Sequence, residues 1–506
     1  MRGKCSPTRG RAAIAASQNA EASIPRRPRT SLRNRSRCAS SASTVPSRSS
    51  QESATRRGCS VSATGTSAPS IQRVTDAGFT TPYASRVIAP ALSRLLPAWV
   101  DPELVFVRLF RGEERAFWLD AGPDAAAGRT FIGAATQVSA APTVRPFADD
   151  DALGWYGWLD YESGARAMGI EAAPTDHGVR LLLGSRVIEF DHALRRIRLV
   201  AADEAGASEW LDRTADSIGA MRGPLAEPGT PDRSQAVWRH DAAHYADLVR
   251  RCQAHIRAGD AYQLCLTNEI TVAGTFDPVE RYRALRRLSP SHHGGLIRCD
   301  GTALLSSSPE RFLELRDGRV ATHPIKGTRP RSPDAAADAA LRAELLASEK
   351  ERAENLMIVD LMRNDLSRIA ELGTVHADRL LEVESYPQVH QLVSSVSARL
   401  LPDVGFAELI AAAFPAGSMT GAPKRRAMQI LAELEQGPRG IYAGAFGRFG
   451  ADGSLDAAMV IRSIVLDAHG ARIGTGGGIT ILSDPEEEVE ETRVKARALL
   501  AVLGAL

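Results

Sequence analysis

The sequence predicts an α+β fold carried by large antiparallel β-sheets, and three observations predict it. Strand-like runs and long helical runs come in blocks, without the strict βα alternation of a parallel sheet. Of the 506 residues, 44% are hydrophobic and 24% charged, enough to bury a real core. No stretch of 18 or more apolar residues occurs, which excludes a spanning helix. The six cysteines include no CxxC pair, which argues against a disulfide framework or a structural zinc site. No internal repeat at a fixed period is visible. The length suits two to four domains, or one large domain with an extension.

Residues 1–75 stand apart. They hold fourteen Lys and Arg against Glu21 and Glu52, a net +12 that leaves −10 on the rest of the chain. The folded part therefore has no basic nucleic-acid surface as its theme, and neither nucleic acid nor membrane is expected as a partner. Leu32 is the segment's single leucine and it has no aromatic residue, so it is expected to be disordered. Three readings of it stay open: a transit peptide, a basic tail, or upstream sequence translated from a start placed too early. The expected location is the cytoplasm, or a plastid if the segment is a genuine transit peptide.

A region over 86–220 follows. Leu104–Phe110 and Ala116–Asp120 read as two strands joined by a tight turn. Further strands are expected at Trp155–Leu159, Val179–Leu183, Val187–Phe190 and Ile197–Val200, the last two as a hairpin. The Pro/Gly-rich stretch between Met221 and Arg233 reads as a linker. A second region, 235–503, opens with a helix from His240 to Ala258 stopped by Gly259. Strands at Tyr262–Val272, Gly295–Arg298, Ala303–Ser306, Phe312–Arg316 and Arg319–His323 precede long helices, and strands return near the end.

The chemistry-bearing residues lie between Gly259 and Arg497. Lys326, between Pro324 and Gly327, follows an expected strand where the backbone can approach a ligand closely. Thr328, Arg329 and Arg331 add donors suited to an anion, although most loop lysines are simply solvated. Glu310 could protonate a leaving group if burial raised its pKa, or else pair with Arg311. The helix Ser348–Leu372 places Glu354 in line with Ile358 and Leu361. Another helix starts at Ser483-Asp484-Pro485 and sets Glu488 and Glu491 on one face. A few carboxylates with water and substrate oxygens are how proteins usually hold Mg²⁺; first-turn acids such as Glu486 and Glu487 serve the helix dipole. Gly417–Lys424 lacks the ending of a phosphate-cradling loop, and Gly474–Gly478 leads into a strand, so neither is a nucleotide loop. Both read as tight turns whose N–H groups could bind a carboxylate. The first also leads into a helix from Pro423 or Lys424, whose N-terminus favours an anion.

Together, GDAYQLCLTNEI (259–270), SSSPERFL (306–313), HPIKGTRPR (323–331), AENLMIVDLMRNDLSRI (353–369), VESYPQVHQLVSSV (383–396), GSMTGAPKRRAM (417–428), GIYAGAFGRF (440–449), MVIRSIV (459–465) and GTGGGITILSDPEEEVEETRVKARALL (474–500) resemble the chorismate-utilising enzymes, the family of anthranilate synthase component I. The matches keep the family's order and cover roughly 235–500, with 86–220 resembling its less distinctive N-terminal part. The resemblance implies a sandwich of antiparallel sheets with helices outside, chorismate as substrate and Mg²⁺ as cofactor. Within the family, PIKGT at 324–328 is similar to aminodeoxychorismate synthases, where anthranilate synthases usually have alanine for Lys326. By that likeness Lys326 attacks C2 of chorismate, Glu310 protonates the departing 4-hydroxyl, and ammonia adds at C4. A neighbouring Arg329 or Arg331 would depress the lysine pKa. Glu354 and Glu491 would hold the metal. Gly327, Thr328, Ser418, Tyr442, Arg462, Gly476, Gly477 and Gly478 would hold the substrate.

Gln263 stands where isochorismate and salicylate synthases place a water-activating lysine, which speaks against water as nucleophile. Gln391 stands where members often carry His, leaving a histidine role there in doubt. Leu119–Gly122 lacks the serine of the tryptophan-sensing motif, so tryptophan feedback is not expected. Cys252, Cys265 and Cys299 lack the setting of a glutaminase nucleophile, so glutamine-derived ammonia would come from a separate glutaminase subunit. The implied product is 4-amino-4-deoxychorismate, for p-aminobenzoate and folate; the alternatives are anthranilate synthesis and an inactive chorismate-binding member.

Overall fold

The computed structural model describes residues 90–141, 148–172, 174–386 and 389–506; the 1–75 segment falls outside them. All strand pairs are antiparallel and form two large sheets, one of twelve strands and one of ten among the described residues. Both draw strands from before and after the 221–235 segment. Ala116–Asp120 pairs with His293–Cys299 in the first sheet, and Gly154–Leu159 pairs with Ala445–Gly450 in the second.

Period-two alternation explains how one sheet serves two cores. In the first sheet Phe117, Ile297, Leu304 and Val465 point toward the second sheet, into a core shared with Tyr156, Trp158 and Phe446. Their neighbours Trp118, Leu296, Leu305 and Leu466 point the other way, under Pro278–Leu288 and Pro485–Val502. The Phe117 and Tyr156 rings stack across the sandwich at 3.8 Å. The outer face of the second sheet is covered by Glu349–Ser367 and Phe406–Ala413. This is the expected α+β sandwich with helices outside.

The hairpin of Arg186–Asp191 and Arg196–Ala202 is present, with Phe190 opposite Ile197. The expected strand at Leu104–Phe110 is instead a helix, Pro102–Leu109. Asp101 caps it by accepting the Glu103 amide, Pro102 sits in its first turn, and Val105 and Phe106 are buried. A short buried helix reads as the same apolar run as a buried strand, and here the Asp-Pro start decides. The second correction concerns Gly474–Gly478, expected as a tight turn. It lies inside the strand Gly470–Ile479, paired along Gln263–Val272.

Candidate active site

Lys326 sits on the edge strand Ile325–Pro330, at a bulge where pairing with Val389–Arg399 shifts register. Gly327 makes the bulge, at φ +81°. A Cβ there would also come within 2.7 Å of Leu345 and 2.9 Å of the Glu351 carboxyl carbon, so a side chain is excluded twice over. Thr328 is exposed beyond the bulge, opposite Gln391. His390 is buried and bonded to Ser385 and Asp338.

Three carboxylates face the lysine. Glu310 opens the strand Arg311–Arg316 and is buried, with Ser418 near enough to pull its carboxyl pKa down against burial. The alternative of a Glu310–Arg311 pair is not realised: Arg311 bonds Glu314 and Asp456. Glu354 lies buried on Glu349–Ser367, capped by Ser348 as expected but ending before Leu372. Glu491 lies on Pro485–Val502, whose cap Asp484 accepts from the Glu486 and Glu487 amides. It pairs with Lys495 at 2.5 Å, and Lys495 also donates to the Gly476 carbonyl at 2.6 Å.

The glycines of Gly470–Ile479 let these groups close in. A Cβ on Gly477 would lie 2.7 Å from Glu488 Oε2 and 3.4 Å from Glu491 Oε1. On Gly478 it would collide with the Gln263 amide and lie 3.4 Å from Glu354 Oε2, and on Gly474 it would strike the Tyr442 ring. Glycine here is required by close approach, and the backbone stays extended. Gln263 has no exposed surface, and both amide atoms lack a partner among the described residues.

Tyr442 is buried, and Arg462 stands near both it and Glu491. Arg462 adopts φ +52°, and its guanidinium has no hydrogen-bond partner among the described residues. Burial pushes this guanidinium pKa down, so its charge is poorly compensated and suits an incoming carboxylate.

A residue missed in the sequence holds several of these segments together. Buried Arg439 donates to the Met419 carbonyl at 2.6 Å, the Cys265 carbonyl at 2.8 Å and both Glu435 oxygens. Glu435 in turn accepts the Thr267 amide. The Arg439 and Gly440 amides donate to Glu162. One guanidinium thus ties the Gly417–Met419 turn bearing Ser418, the Gln263–Val272 strand and the segment leading to Tyr442. Its only sequence signal was an arginine between Pro438 and Gly440.

The electrostatics differ from expectation at Lys326. Burial pulls its pKa down, but Glu354, the Cys265 sulfur, Glu310 and Glu491 outweigh this and hold it above the ordinary lysine value. Arg329 and Arg331 do not depress it, because Arg329 pairs with Glu344 and Glu351 and Arg331 with Asp338. Burial raises Glu310 despite the nearby Lys326. It also raises Glu354 to about 7, with Lys326 opposing. Glu491 is pushed up by burial but pulled lower still by Lys495. Glu310 and Glu354 thus take up protons readily beside Lys326, while Glu491 holds its charge against Lys495.

The donor set suits a hard divalent cation. Glu354 and Glu491 approach the same glycine strand with Glu488 beside them, although Lys350 already pairs with Glu488 at 3.2 Å. No group of three or more metal-ligating side chains converges among the described residues. Carboxylates alone would thus leave most positions of an octahedral Mg²⁺ to water and substrate oxygens, which is how that ion is commonly held.

Comparison with known proteins matches residues 98–501 to the family of chorismate binding enzymes. An aminodeoxychorismate synthase of Streptomyces griseus is 41% identical over 487 residues, covering 86% of this chain and 66% of that protein. The chain thus spans just under two thirds of that relative. Anthranilate synthase component 1 of Streptomyces coelicolor is 34% identical, covering 82% of this chain and 89% of that protein. Among solved structures, anthranilate synthase component I of Streptococcus pneumoniae aligns with a TM-score of 0.63 at 26% identity, covering 83% of this chain and 94% of that one.

Proposed function

The chain belongs to the chorismate-binding enzymes, and from that premise we propose that it converts chorismate and ammonia to 4-amino-4-deoxychorismate and water. The observation that carries this reading is Lys326, set at a bulge among Glu310, Glu354 and Glu491. The name of the Streptomyces griseus relative supports it.

In this reading Lys326 and Glu310 share a proton. Transfer from Lys326 Nζ to Glu310 gives a neutral amine and a protonated acid together, the two forms the first step needs. The Nζ–C2 bond forms, the ring double bonds shift, and the C4–O bond breaks as Glu310 gives its proton to the leaving hydroxyl. Ammonia then forms a bond to C4 while the C2–Nζ bond breaks and Lys326 is released. Arg462 and Tyr442 orient the substrate, a planar guanidinium suiting a carboxylate. Ser418, Gly327, Thr328 and the Gly476–Gly478 backbone complete the binding surface. Glu354 and Glu491 would hold Mg²⁺, which when bound supplies Lewis-acid and template chemistry at the substrate carboxylate.

Ammonia is supplied by a separate glutaminase subunit, and pyruvate release to p-aminobenzoate belongs to a pyridoxal-phosphate lyase elsewhere. The proposed location is the cytoplasm; no helix among the described residues is long and apolar enough to cross a membrane. The Arabidopsis thaliana relative is named chloroplastic, which keeps the plastid reading of 1–75 in view.

Anthranilate synthesis is the second reading, favoured by the Streptomyces coelicolor and Streptococcus pneumoniae likenesses. The deciding experiment is a product assay with chorismate, Mg²⁺ and ammonium at alkaline pH. Aminodeoxychorismate without pyruvate is expected. Anthranilate with pyruvate would overturn the proposal.

A further inference from the structure

Lysine is scarce in this chain: five of its 62 basic residues are lysine and the rest arginine. Three of the five, Lys326, Lys350 and Lys495, gather at the carboxyls of Glu354, Glu488 and Glu491. Lys326 is the reacting amine of the reading above, and Lys495 is held twice, by Glu491 and by the Gly476 carbonyl. Lys350 has a single side-chain partner among the described residues, Glu488 Oε1 at 3.2 Å. Glu354 and Glu491 are close enough for their charges to act on it as well.

Lys350 is loosely held from its own side. It stands in the first turn of Glu349–Ser367, two residues after the cap Ser348, where the open amides of a helix N-terminus disfavour a cation. Its side chain is 33% exposed, against 2% for Glu488. A lysine makes such a contact as a point charge, where an arginine would grip both carboxylate oxygens. Glu488 Oε2 is thereby left for the space beside Gly477, where a Cβ would lie 2.7 Å from it and 3.4 Å from Glu491 Oε1. With Glu310, four carboxyls face three ammonium groups, which leaves at most one negative charge for an ion carrying two positive ones. Such an ion binds best if one ammonium withdraws, and Lys350 is the one free to do so.

We propose that Lys350 is a displaceable counterion for Mg²⁺: it covers Glu488 in the metal-free protein, withdraws to solvent when the ion binds, and so sets the metal affinity of the site. The inference rests on the Mg²⁺ reading above. Lys350 touches neither substrate nor reacting atoms and acts through Glu488. In the metal-free protein the pair keeps buried Glu488 and its neighbours Glu354 and Glu491 from facing one another uncompensated. Breaking it is a cost that the ion meets on binding, so removing the lysine charge should tighten Mg²⁺ binding instead of weakening it.

The test uses the full chain, stripped with EDTA and titrated calorimetrically with magnesium chloride. The Mg²⁺ Kd should fall about tenfold in Lys350→Met, which removes the charge and keeps the length. Lys350→Arg, which keeps the charge and adds a second bond, should bind Mg²⁺ no tighter than wild type. Displacement itself is read by brief acetic anhydride labelling of wild type, with each lysine followed by mass. Lys350 should be acetylated at least about threefold faster in Mg²⁺ than in EDTA, having lost its partner. An unchanged or raised Kd in folded Lys350→Met, or Lys350 labelling that Mg²⁺ leaves alone or slows, overturns the proposal while the metal reading stands. Wild type that takes up no Mg²⁺ overturns the metal reading, and the proposal with it.

Discussion

Glu354 should be a residue that costs stability, and replacing it tests that cost directly. Its carboxyl is raised from 4.5 to about 7, first by burial and against the pull of Lys326. A group bound to its proton more tightly in the folded state stabilises fully below its unfolded pKa and loses that contribution as pH rises through the folded one. For Glu354 the window runs from about pH 4.5 to about pH 7. At about 1.4 kcal/mol per unit, the loss amounts to about 3 kcal/mol once the pH is above 7. Glu354→Gln keeps the size and neutrality of the protonated acid and cannot ionise. Urea unfolding in EDTA, from pH 4.5 to 8, should show the variant equal to wild type at the acid end and more stable by about 3 kcal/mol at pH 8. Glu162, also raised to about 7 by burial, slopes alike in both proteins and cancels in the difference. The variant should also lose turnover by at least ~100-fold, and Mg²⁺ should stabilise wild type alone. A variant no more stable than wild type at pH 8 would refute the argument, because the carboxylate would then not be desolvated.

Lys326→Ala should fold and yet make no aminodeoxychorismate; intact-mass measurement without ammonia should find a chorismate adduct on wild type and none on the variant, and unchanged turnover would remove the covalent step. Gly474→Ala forces a methyl into the Tyr442 ring; a cost of about 1–3 kcal/mol in unfolding free energy and a raised chorismate KM are expected, and a silent substitution would mean that ring is not fixed. Arg439→Met strands Glu435 and frees the Met419 and Cys265 carbonyls, so a loss of about 3–5 kcal/mol is expected by denaturant melt, with Arg439→Lys recovering part of it. Deleting residues 1–75 should leave the melting temperature and ammonia-dependent turnover as they are.

Most elements were legible because local rules and tertiary packing agreed. The Ser483-Asp484-Pro485 start produced a helix because Asp484 satisfies two orphan amides there. Alternating strands such as Ala303–Ser306 were readable because each face has its own core. Leu104–Phe110 was not, since a buried helix and a buried strand share one apolar signature. Gly474–Gly478 misled for a different reason: glycine signals turns by composition, but here it admits Tyr442, Glu488 and Gln263 from elements remote in the chain. Electrostatics was the least legible. Arg329 and Arg331 are near Lys326 in sequence but pair elsewhere, while Glu354 and Glu491, far off along the chain, set its environment.

The sharing of strands between the two regions has a consequence for how the chain must be made. Leu159 finds its partner at Ala445 and Phe117 finds its partner at Ile297, so neither sheet can close until most of the chain has been synthesised. A nascent chain that has emerged only as far as the 221–235 segment carries Gly154–Leu159 and Ala116–Asp120 each lacking a neighbouring strand, with Phe117 and Trp158 unsheltered. Long-range pairing of this kind is slow and leaves sticky edges open meanwhile. Production of the protein should therefore be sensitive to chaperone supply and to temperature, and the two regions expressed as separate chains should become soluble only when made together.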